Sequence, residues 1–239
     1  MTRREAIKFI VIRSLGNFLL LLSLYGVSAT FGPVLAEEGQ FYWRQMQGVK
    51  FVVAQDSNGT QVQKPALVHT ASESSLKSLV IPTRVPEQKV EILNPIDTQF
   101  GIVIPKLGAN AKIFPNVDPQ NPNEFLPVLR HGIAHAKGSV FPGMQGNVYL
   151  FAHSGITWWE AGQQNAIFYL IKDLTEGDEI VIFFENKRYD YLVTQKVIAD
   201  ADDISFISRD HNGEERLVLQ TCWPPGTSWK RLYIVAKPK

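Results

Sequence analysis

The stretch RLVLQTCWPPGTSWKRLYIVA, residues 216–236, holds two apolar runs of strand-forming residues on either side of a turn-rich segment. The intervening Pro224-Pro225-Gly226 must leave a sheet, because proline has no N–H to donate to a strand ladder. Cys222 therefore ends the first strand, and Arg231 opens the second strand nine positions later. If the two strands are neighbours, the thiol and the guanidinium meet at one end of a sheet, where functional groups often lie on a rigid scaffold.

The region from residue 98 onward alternates short apolar runs with turn signals. The predicted strands are Gly101–Pro105, Asn147–Ala152, Asp178–Phe184, Arg188–Thr194, Arg216–Gln220 and Arg231–Ala236. Apolar residues recur at helical spacing between Ile167 and Leu174, with Asn165 as a candidate N-cap. The pattern predicts a mostly β domain, built as a barrel with one or two short helices.

The composition is that of a folded protein with one substantial core. Of 239 residues, 45% are hydrophobic and 20% are charged, which suits one globular domain with appendages. Lys and Arg number 24 against 23 Asp and Glu, so the net charge of +1 gives no reason to expect a nucleic-acid partner. Cys222 is the only cysteine, which excludes an intramolecular disulfide.

The beginning of the chain predicts a signal anchor over residues 1–36. Four basic residues between Arg3 and Arg13 precede an apolar run from Leu15 to Leu35. The 21 residues of this run approach the roughly 20 that cross a bilayer core. The basic flank orients the start of the chain toward the cytoplasm, so the rest is expected outside the cell membrane as a single-pass protein. The small residues before Glu37 leave cleavage and secretion as an alternative.

Residues 37–97 predict an extracytoplasmic spacer, because prolines and short polar stretches interrupt any hydrophobic period. Within this spacer, Phe51-Val52-Val53 is apolar enough either to pack on the domain or to lie on the membrane. The domain that carries the chemistry is therefore expected at residues 98–239.

Three residue types at predicted strand ends suit acyl transfer. His153 follows the strand that closes at Ala152, so it occupies the same kind of position as Cys222. Acyl transfer needs a nucleophile, a proton donor for the leaving amine and a donor-rich site for the oxyanion. Cys222, His153 and Arg231 can fill those roles in that order. A half-buried histidine or a strand-end arginine is also a common structural feature, so the alternative stays open.

The motif Leu219-Gln-Thr-Cys222 resembles the L-x-T-C signature that ends a strand in sortases, and Arg231 falls where their arginine opens the next strand. Residues 143–154, GMQGNVYLFAHS, are similar to their segment of glycine-asparagine, apolar strand and histidine. Residues 102–108, IVIPKLG, resemble their first strand, and residues 174–180, LTEGDEI, resemble the turn after their central helix. These segments follow one another in the order of the family.

The resemblance implies an eight-stranded β-barrel on a signal anchor, with Cys222, His153 and Arg231 as catalytic residues. It implies cleavage of an L-P-x-T-G-like sorting signal of secreted proteins between threonine and glycine, through a thioester on the cysteine. The acyl group would then pass to an amine of the peptidoglycan precursor or of a pilin lysine. The resemblance implies no cofactor, except that some members use calcium.

Two positions depart from the commonest sortase pattern. Ala152 stands before the histidine, where a glycine is frequent, and Trp223-Pro-Pro-Gly-Thr227 occurs in only some branches. These departures leave the subclass and the preferred sorting motif open, with a class D or E-like enzyme favoured. The resemblance also makes His135 and Thr221 candidates for substrate binding.

Two clusters raise metal binding as an alternative: His131, His135, His153 and Cys222 for zinc, and Asp200, Asp202 and Asp203 for calcium. Gly132 argues against a helix that presents the first two histidines on one face. A solvated acidic turn is favoured for the three aspartates, since nothing there resembles an ordered ligand loop.

Two rival classes remain open on sequence alone. An L,D-transpeptidase is also β-rich with cysteine and histidine, but its cysteine typically lies in an S-x-G-C-x-R context that Thr-Cys222-Trp lacks. A membrane-tethered binding or adhesion domain with an inert, buried cysteine is the alternative from another class. A thiol reagent distinguishes a cysteine enzyme from such a binding domain, because an inert core cysteine does not react in the folded state.

Overall fold

The computed structural model describes residues 3–54, 90–154, 167–203, 205–208 and 213–239. Its strands are β1 (Lys50–Val53), β2 (Val90–Leu93), β3 (Phe100–Ile104), β4 (Ala109–Val117), β5 (Ile133–Ala136), β6 (Gly146–Phe151), β7 (Glu179–Phe184), β8 (Lys187–Asp200), β9 (Glu215–Trp223) and β10 (Lys230–Pro238). Its helices are α1 (Arg3–Met46), α2 (Pro122–Leu129), α3 (Ile167–Leu170) and α4 (Ser205–Ser208), with 3₁₀ turns at Pro105–Leu107 and Ile171–Asp173.

Strands β3 to β10 close a barrel in the order β10-β8-β7-β3-β4-β5-β6-β9. Most neighbours are antiparallel, whereas β4 with β5 and β6 with β9 are parallel. Closure leaves no open edge in the ring, so every strand has hydrogen-bonded neighbours on both sides. The mostly β, eight-stranded barrel with short helices that was predicted from the sequence is confirmed.

The six predicted strands all fall on observed strands, although their bounds differ. The strand predicted to end at Thr194 continues as β8 to Asp200. The predicted helix is a single α-helical turn that continues as a 3₁₀ turn, and its candidate cap Asn165 lies outside the described residues. Helix α2 is absent from the sequence-based elements, because Pro127 interrupts its short apolar pattern.

Helix α2 forms despite that proline because its first turn is well capped. The side-chain oxygen of Asn121 accepts a hydrogen bond from the Asn123 N–H at 3.2 Å, and Pro122 at the first helical position has no N–H to satisfy. Phe125 of α2 packs edge-on against Phe151 of β6, with ring centroids 6.2 Å apart. The helix therefore lies against the outer side of the strand that leads to His153.

Alternation along β9 gives the barrel wall two different faces. Leu217, Leu219 and Thr221 are at most 2% exposed and face the interior, while Gln220 and Cys222 are half-buried on the other face. Burial of the leucines thus turns the thiol outward, onto the outer face of the barrel.

β1 and β2 form a separate two-stranded parallel sheet outside the barrel. Val53 of β1 is 5% exposed, because it packs with Val103 and Val181 of the barrel wall. Of the two sequence-based alternatives for this apolar piece, packing on the domain is the one observed. Parts of the predicted 37–97 spacer are thus built into the domain, and residues 55–89 lie outside the described ranges.

Helix α1 runs without interruption for 44 residues, past the predicted anchor boundary at residue 36. Residues 3–29 form a helix long and apolar enough to cross a membrane, and none of it is buried against the rest of the protein. The proposed boundaries between anchor, spacer and domain stay predictions.

Val53→Ala should lower the stability of the barrel by about 1–2 kcal/mol, because it removes buried methyl groups from the contact between β1 and the barrel wall. Val52→Ala is the matched control: Val52 is 48% exposed, and its truncation should cost less than about 0.5 kcal/mol. Denaturant unfolding of the full chain in detergent, followed by near-ultraviolet circular dichroism, measures both variants. Equal effects of the two substitutions would contradict the packing of β1 on the barrel.

Candidate active site

Cys222 and Arg231 are direct partners across the antiparallel ladder of β9 and β10. Side chains opposite each other in such a ladder have Cβ atoms roughly 5 Å apart and share one face of the sheet. The turn-rich loop of residues 224–229 joins the two strands at this end. The sequence-based expectation that the thiol and the guanidinium meet at one sheet end therefore agrees with the observed register.

His153 lies on the other side of Cys222. β6 runs parallel to β9 with Phe151 paired to Gln220, and the Ala152 N–H donates to the Gln220 carbonyl at 3.2 Å. β6 ends at Phe151, and His153 follows two residues later, as Cys222 follows Gln220 on β9, so continuing the register leads to the same level and the same outer face. The central strand β9 thus carries the cysteine, β10 carries the arginine, and the histidine follows the end of β6.

All three side chains are half-buried, so each is packed in place and still open to solvent. A partly exposed cysteine differs from the fully buried, inert kind that the binding-domain alternative requires. Arg231 donates from Nη1 to the carbonyl oxygens of Ser228 and Lys230, both at 3.1 Å. These two bonds hold the guanidinium at the loop and use only Nη1. Of its five N–H donors, those on Nε and Nη2 take no part in these two bonds.

Thr221 ties the cysteine strand to the histidine segment. Its side chain is 2% exposed, and its hydroxyl donates to the Ala152 carbonyl at 2.9 Å. The Ala152 carbonyl belongs to the peptide bond that leads into His153, so this bond fixes the backbone on which the imidazole is mounted. The Thr221 hydroxyl faces the barrel interior and is already bonded there, and its role in substrate binding stays a prediction.

His135 is fully buried, with 0% of its surface exposed. Its Nδ1 accepts from the Asn116 N–H at 3.3 Å, and its Nε2 donates to the Val140 carbonyl at 3.0 Å. Its ring stacks on Phe141 with centroids 4.6 Å apart. In this structure both ring nitrogens of His135 are bonded within the protein, and its role in substrate binding stays a prediction.

The alternative metal clusters do not assemble within the described residues. His131 is exposed whereas His135 is buried, so their rings do not share a site. The carboxylate of Asp203 accepts the Ser205 N–H at 2.8 Å, and Asp200 is 3.6 Å from the ammonium of Lys230. Among the described residues, no group of three His, Cys, Asp or Glu side chains is placed to hold a metal ion.

Two buried tyrosines lie on the strands that flank β9, Tyr149 on β6 and Tyr233 on β10. The Tyr149 hydroxyl donates to the side-chain oxygen of Gln220 at 2.6 Å, and the Tyr233 hydroxyl donates to the Asp203 carbonyl at 2.9 Å. Gln220 and Tyr233 are themselves cross-strand partners. Burial raises the pKa of both tyrosines above its ordinary value, so the two hydroxyls remain protonated donors.

Tyr233 also anchors the loop between β8 and β9. Its ring stacks on Phe206 of α4 with centroids 4.3 Å apart, and the Asn147 amide donates to the Phe206 carbonyl at 3.3 Å. Sequence reasoning missed these anchoring residues, although one signal was present. Gln220 is two positions before Cys222 and Tyr233 is two after Arg231, so period two places them on the same face.

The site therefore combines a half-buried thiol with an imidazole just past the end of one neighbouring strand and a guanidinium on the other neighbouring strand, on the outer face of a closed barrel. These are the groups that acyl transfer through a cysteine requires. The fold and this set of groups suit a cysteine acyl-transfer enzyme, and the role of each residue stays a prediction.

The sequence profile of the sortase domain family matches residues 102–239, more than half of the chain. The chain belongs to the sortase family of cysteine transpeptidases. It is 26% identical over 186 residues to sortase D of Bacillus subtilis (strain 168). The aligned region covers 71% of this chain and 85% of that protein.

Solved sortases have a similar fold. Sortase C-1 from Actinomyces oris is 22% identical with a TM-score of 0.50, over 60% of this chain and 76% of that one. Sortase A from Corynebacterium diphtheriae is 24% identical with a TM-score of 0.50, over 60% of this chain and 61% of that one. At these identities the likeness supports the barrel fold, while the roles of individual residues stay predictions.

Thr221→Val should slow peptide cleavage by about tenfold or more, because the Ala152 carbonyl loses its donor and the segment leading to His153 shifts. The loss should appear in kcat, since the hydroxyl does not contact the substrate. Thr221→Ser keeps the hydroxyl and should restore most of the activity. Steady-state cleavage by the three proteins tests this, and a change confined to KM would instead indicate substrate contact.

His135 should make the stability of the domain depend on pH. Burial lowers the pKa of His135 below its ordinary value of 6.5. Above about pH 6.5 the ring is neutral in both the folded and the unfolded protein, and the stabilisation is complete. As the pH falls from there toward the pKa of His135 in the folded protein, the unfolded chain takes up a proton and the folded protein does not. The free energy of unfolding then falls by at most about 1.4 kcal/mol per pH unit.

Unfolding of the parent protein and of His135→Gln at pH 7.5 and 5.5 measures this effect. The amide of glutamine can accept and donate as the neutral ring does but takes up no proton, so its stability should fall less over this range. The exposed His131→Gln is the control and should follow the parent. Parallel pH profiles for parent and His135→Gln would contradict the assignment.

Proposed function

We propose that Cys222 cleaves an L-P-x-T-G-like sorting signal of secreted proteins between threonine and glycine. The thiolate sulfur attacks the threonine carbonyl, a C–S bond forms, and the C–N bond to glycine breaks as its nitrogen takes up a proton. A thioester between the substrate and Cys222 remains. The observation that carries this proposal is the register that pairs Cys222 with Arg231 and sets the end of β6, two residues before His153, beside β9.

Arg231 is the proposed oxyanion partner, together with backbone N–H groups. Negative charge develops on the threonine carbonyl oxygen in the transition state, and donors aimed at that oxygen lower the barrier most. The carbonyls of Ser228 and Lys230 already orient the guanidinium beside the cysteine, so little reorganisation is needed when the charge appears.

His153 is the proposed proton donor to the departing glycine amine. In the second half of the reaction the same imidazole accepts a proton from the incoming amine, by reversal of its first role. That amine is supplied by the peptidoglycan precursor or by a pilin lysine, and attack on the thioester releases the free cysteine. Family membership supports a transpeptidase of this kind.

The domain is proposed to act outside the cell membrane on a retained anchor. Helix α1 contains the apolar stretch and continues unbroken through the small residues before Glu37. A continuous helix there favours retention over cleavage. An unpaired thiol in an extracytoplasmic, oxidising place is also expected where it is used in catalysis.

A peptide panel with the Cys222→Ala variant tests the proposal. The parent protein should form a covalent adduct with L-P-x-T-G-like peptides, detectable by intact mass spectrometry as the substrate acyl group on Cys222. Cys222→Ala should keep the fold, since the residue is half-buried at a strand end, and should show neither adduct nor cleavage. Cleavage by the alanine variant near the parent rate would remove Cys222 from the mechanism.

Arg231→Lys should keep the positive charge and still lose about a hundredfold or more in kcat, because an ammonium lacks the planar fork of donors. Arg188→Lys is the matched control, since Arg188 pairs with Asp190 away from Cys222 and should keep parental activity. Steady-state cleavage with folding checked by circular dichroism compares the variants. Near-parental turnover of a folded Arg231→Lys protein would exclude the oxyanion role.

A further inference from the structure

Helix α1 joins the barrel through a rigid junction. The Gly48 N–H donates to the Gln45 carbonyl at 3.1 Å, and the Val49 N–H donates to the Arg44 carbonyl at 3.4 Å. Gly48 has a φ of +68°, so these bonds form the glycine-terminated Schellman motif of a helix end. β1 begins at the next residue, Lys50, which leaves no flexible linker between the helix and the strand.

β1 has a defined direction on the barrel. The ring of Phe51 lies against Gly108, in the turn between β3 and β4. Two residues later, Val53 packs on Val103 and Phe183, which lie further along the wall. The strand therefore starts at the barrel end that carries the β3–β4 turn and runs away from that end.

This end of the barrel is also the catalytic end. β3 is antiparallel to β7, β7 to β8, β8 to β10, and β10 to β9. Two antiparallel steps restore the strand direction. β8 is two steps from β3 and β9 is two steps from β8, so all three strands run in the same direction. The carboxyl end of β3 at Ile104 and the carboxyl end of β9 at Cys222 therefore lie at the same end. Helix α1 is attached at the end where the chemistry is proposed.

Among the described residues, the loop between β9 and β10 is exposed at that end. Trp229 is 74% exposed, and Ser228 and Lys230 beside it are also exposed. Tryptophan prefers the boundary between water and lipid, where its apolar ring and its N–H are both accommodated. A neighbouring lysine can reach lipid headgroups with its ammonium while its stem covers apolar surface.

The length of α1 brings this loop near the bilayer. If Leu15 to Leu35 cross the hydrocarbon core, eleven residues remain up to Met46, or about 16 Å of helix. The headgroup layer takes up roughly 5–7 Å of that height. The junction thus stands about 10 Å above the headgroups, within the reach of a short loop.

We propose that the catalytic end of the barrel faces the membrane that holds α1, and that the β9–β10 loop contacts its lipid surface through Trp229. This inference rests on the proposed membrane anchorage. The opposite end, where β8 begins at Lys187, then points away from the bilayer.

Energy transfer to labelled lipids tests the orientation. Ser228→Cys and Lys187→Cys, each with Cys222→Ala to leave one thiol, are labelled in the full chain and reconstituted in phosphatidylcholine–phosphatidylglycerol vesicles. A short-range acceptor is placed on the headgroups of both leaflets. Transfer from position 228 should exceed that from position 187 by at least about threefold, because strands of this length separate the labels by roughly 25–30 Å. Equal transfer, or stronger transfer from position 187, would overturn the proposal.

Two further arms separate this inference from the proposed function. A Gly-Ser insertion between Val49 and Lys50 should reduce the difference in transfer and leave peptide cleavage in detergent at the parental rate. Adding Trp229→Ser to the labelled Ser228→Cys chain should weaken its transfer, and Trp229→Ser alone should leave KM for a soluble peptide unchanged. A raised KM with unaltered transfer would assign Trp229 to the peptide and overturn the lipid contact. Absence of any peptide cleavage by the parent would count against the proposed function, whatever the orientation.

Discussion

The register of β9 between β6 and β10 is the constraint on which the site depends. A slip of one residue would turn Cys222 into the barrel and bring Thr221 out, because alternate residues of a strand face opposite sides. Leu217 and Leu219, both with 0% exposure, hold the register by filling the interior. Apolar packing inside the barrel thus sets the position of the thiol outside it.

Hydrogen bonds around β9 then fix the positions of the outward-facing side chains. The bond from Thr221 to the Ala152 carbonyl joins β9 to the histidine segment, and the bond from Arg231 to the Ser228 carbonyl holds the guanidinium at the loop. A buried polar group left without a partner costs about 1–3 kcal/mol, so such hydrogen bonds also stabilise the folded protein. The same contacts that stabilise the fold therefore hold the proposed catalytic groups before the substrate arrives.

The sequence predicted the parts of this arrangement that depend on local chemistry. Proline between two apolar runs was enough to place Cys222 and Arg231 at strand ends, and colinear motifs led to the barrel. The burial of Thr221 was not anticipated, although period two puts a neighbour of Cys222 on the opposite face. The burial of His135 was not anticipated either, because its partners, such as the Asn116 N–H, come from another strand. The pairing of β1 with β2 spans a long stretch of chain, and no local pattern predicts such a contact.

The most direct test of the central claim is a crystal structure of the protein with a sorting-signal peptide joined to Cys222. The decisive measurement is the distance from the guanidinium nitrogens of Arg231 to the carbonyl oxygen of the bound threonine. The account predicts a hydrogen bond of roughly 2.7–3.1 Å, with His153 on the opposite side of the sulfur. A carbonyl oxygen turned away from Arg231, with the guanidinium still bound only to its loop carbonyls, would contradict it.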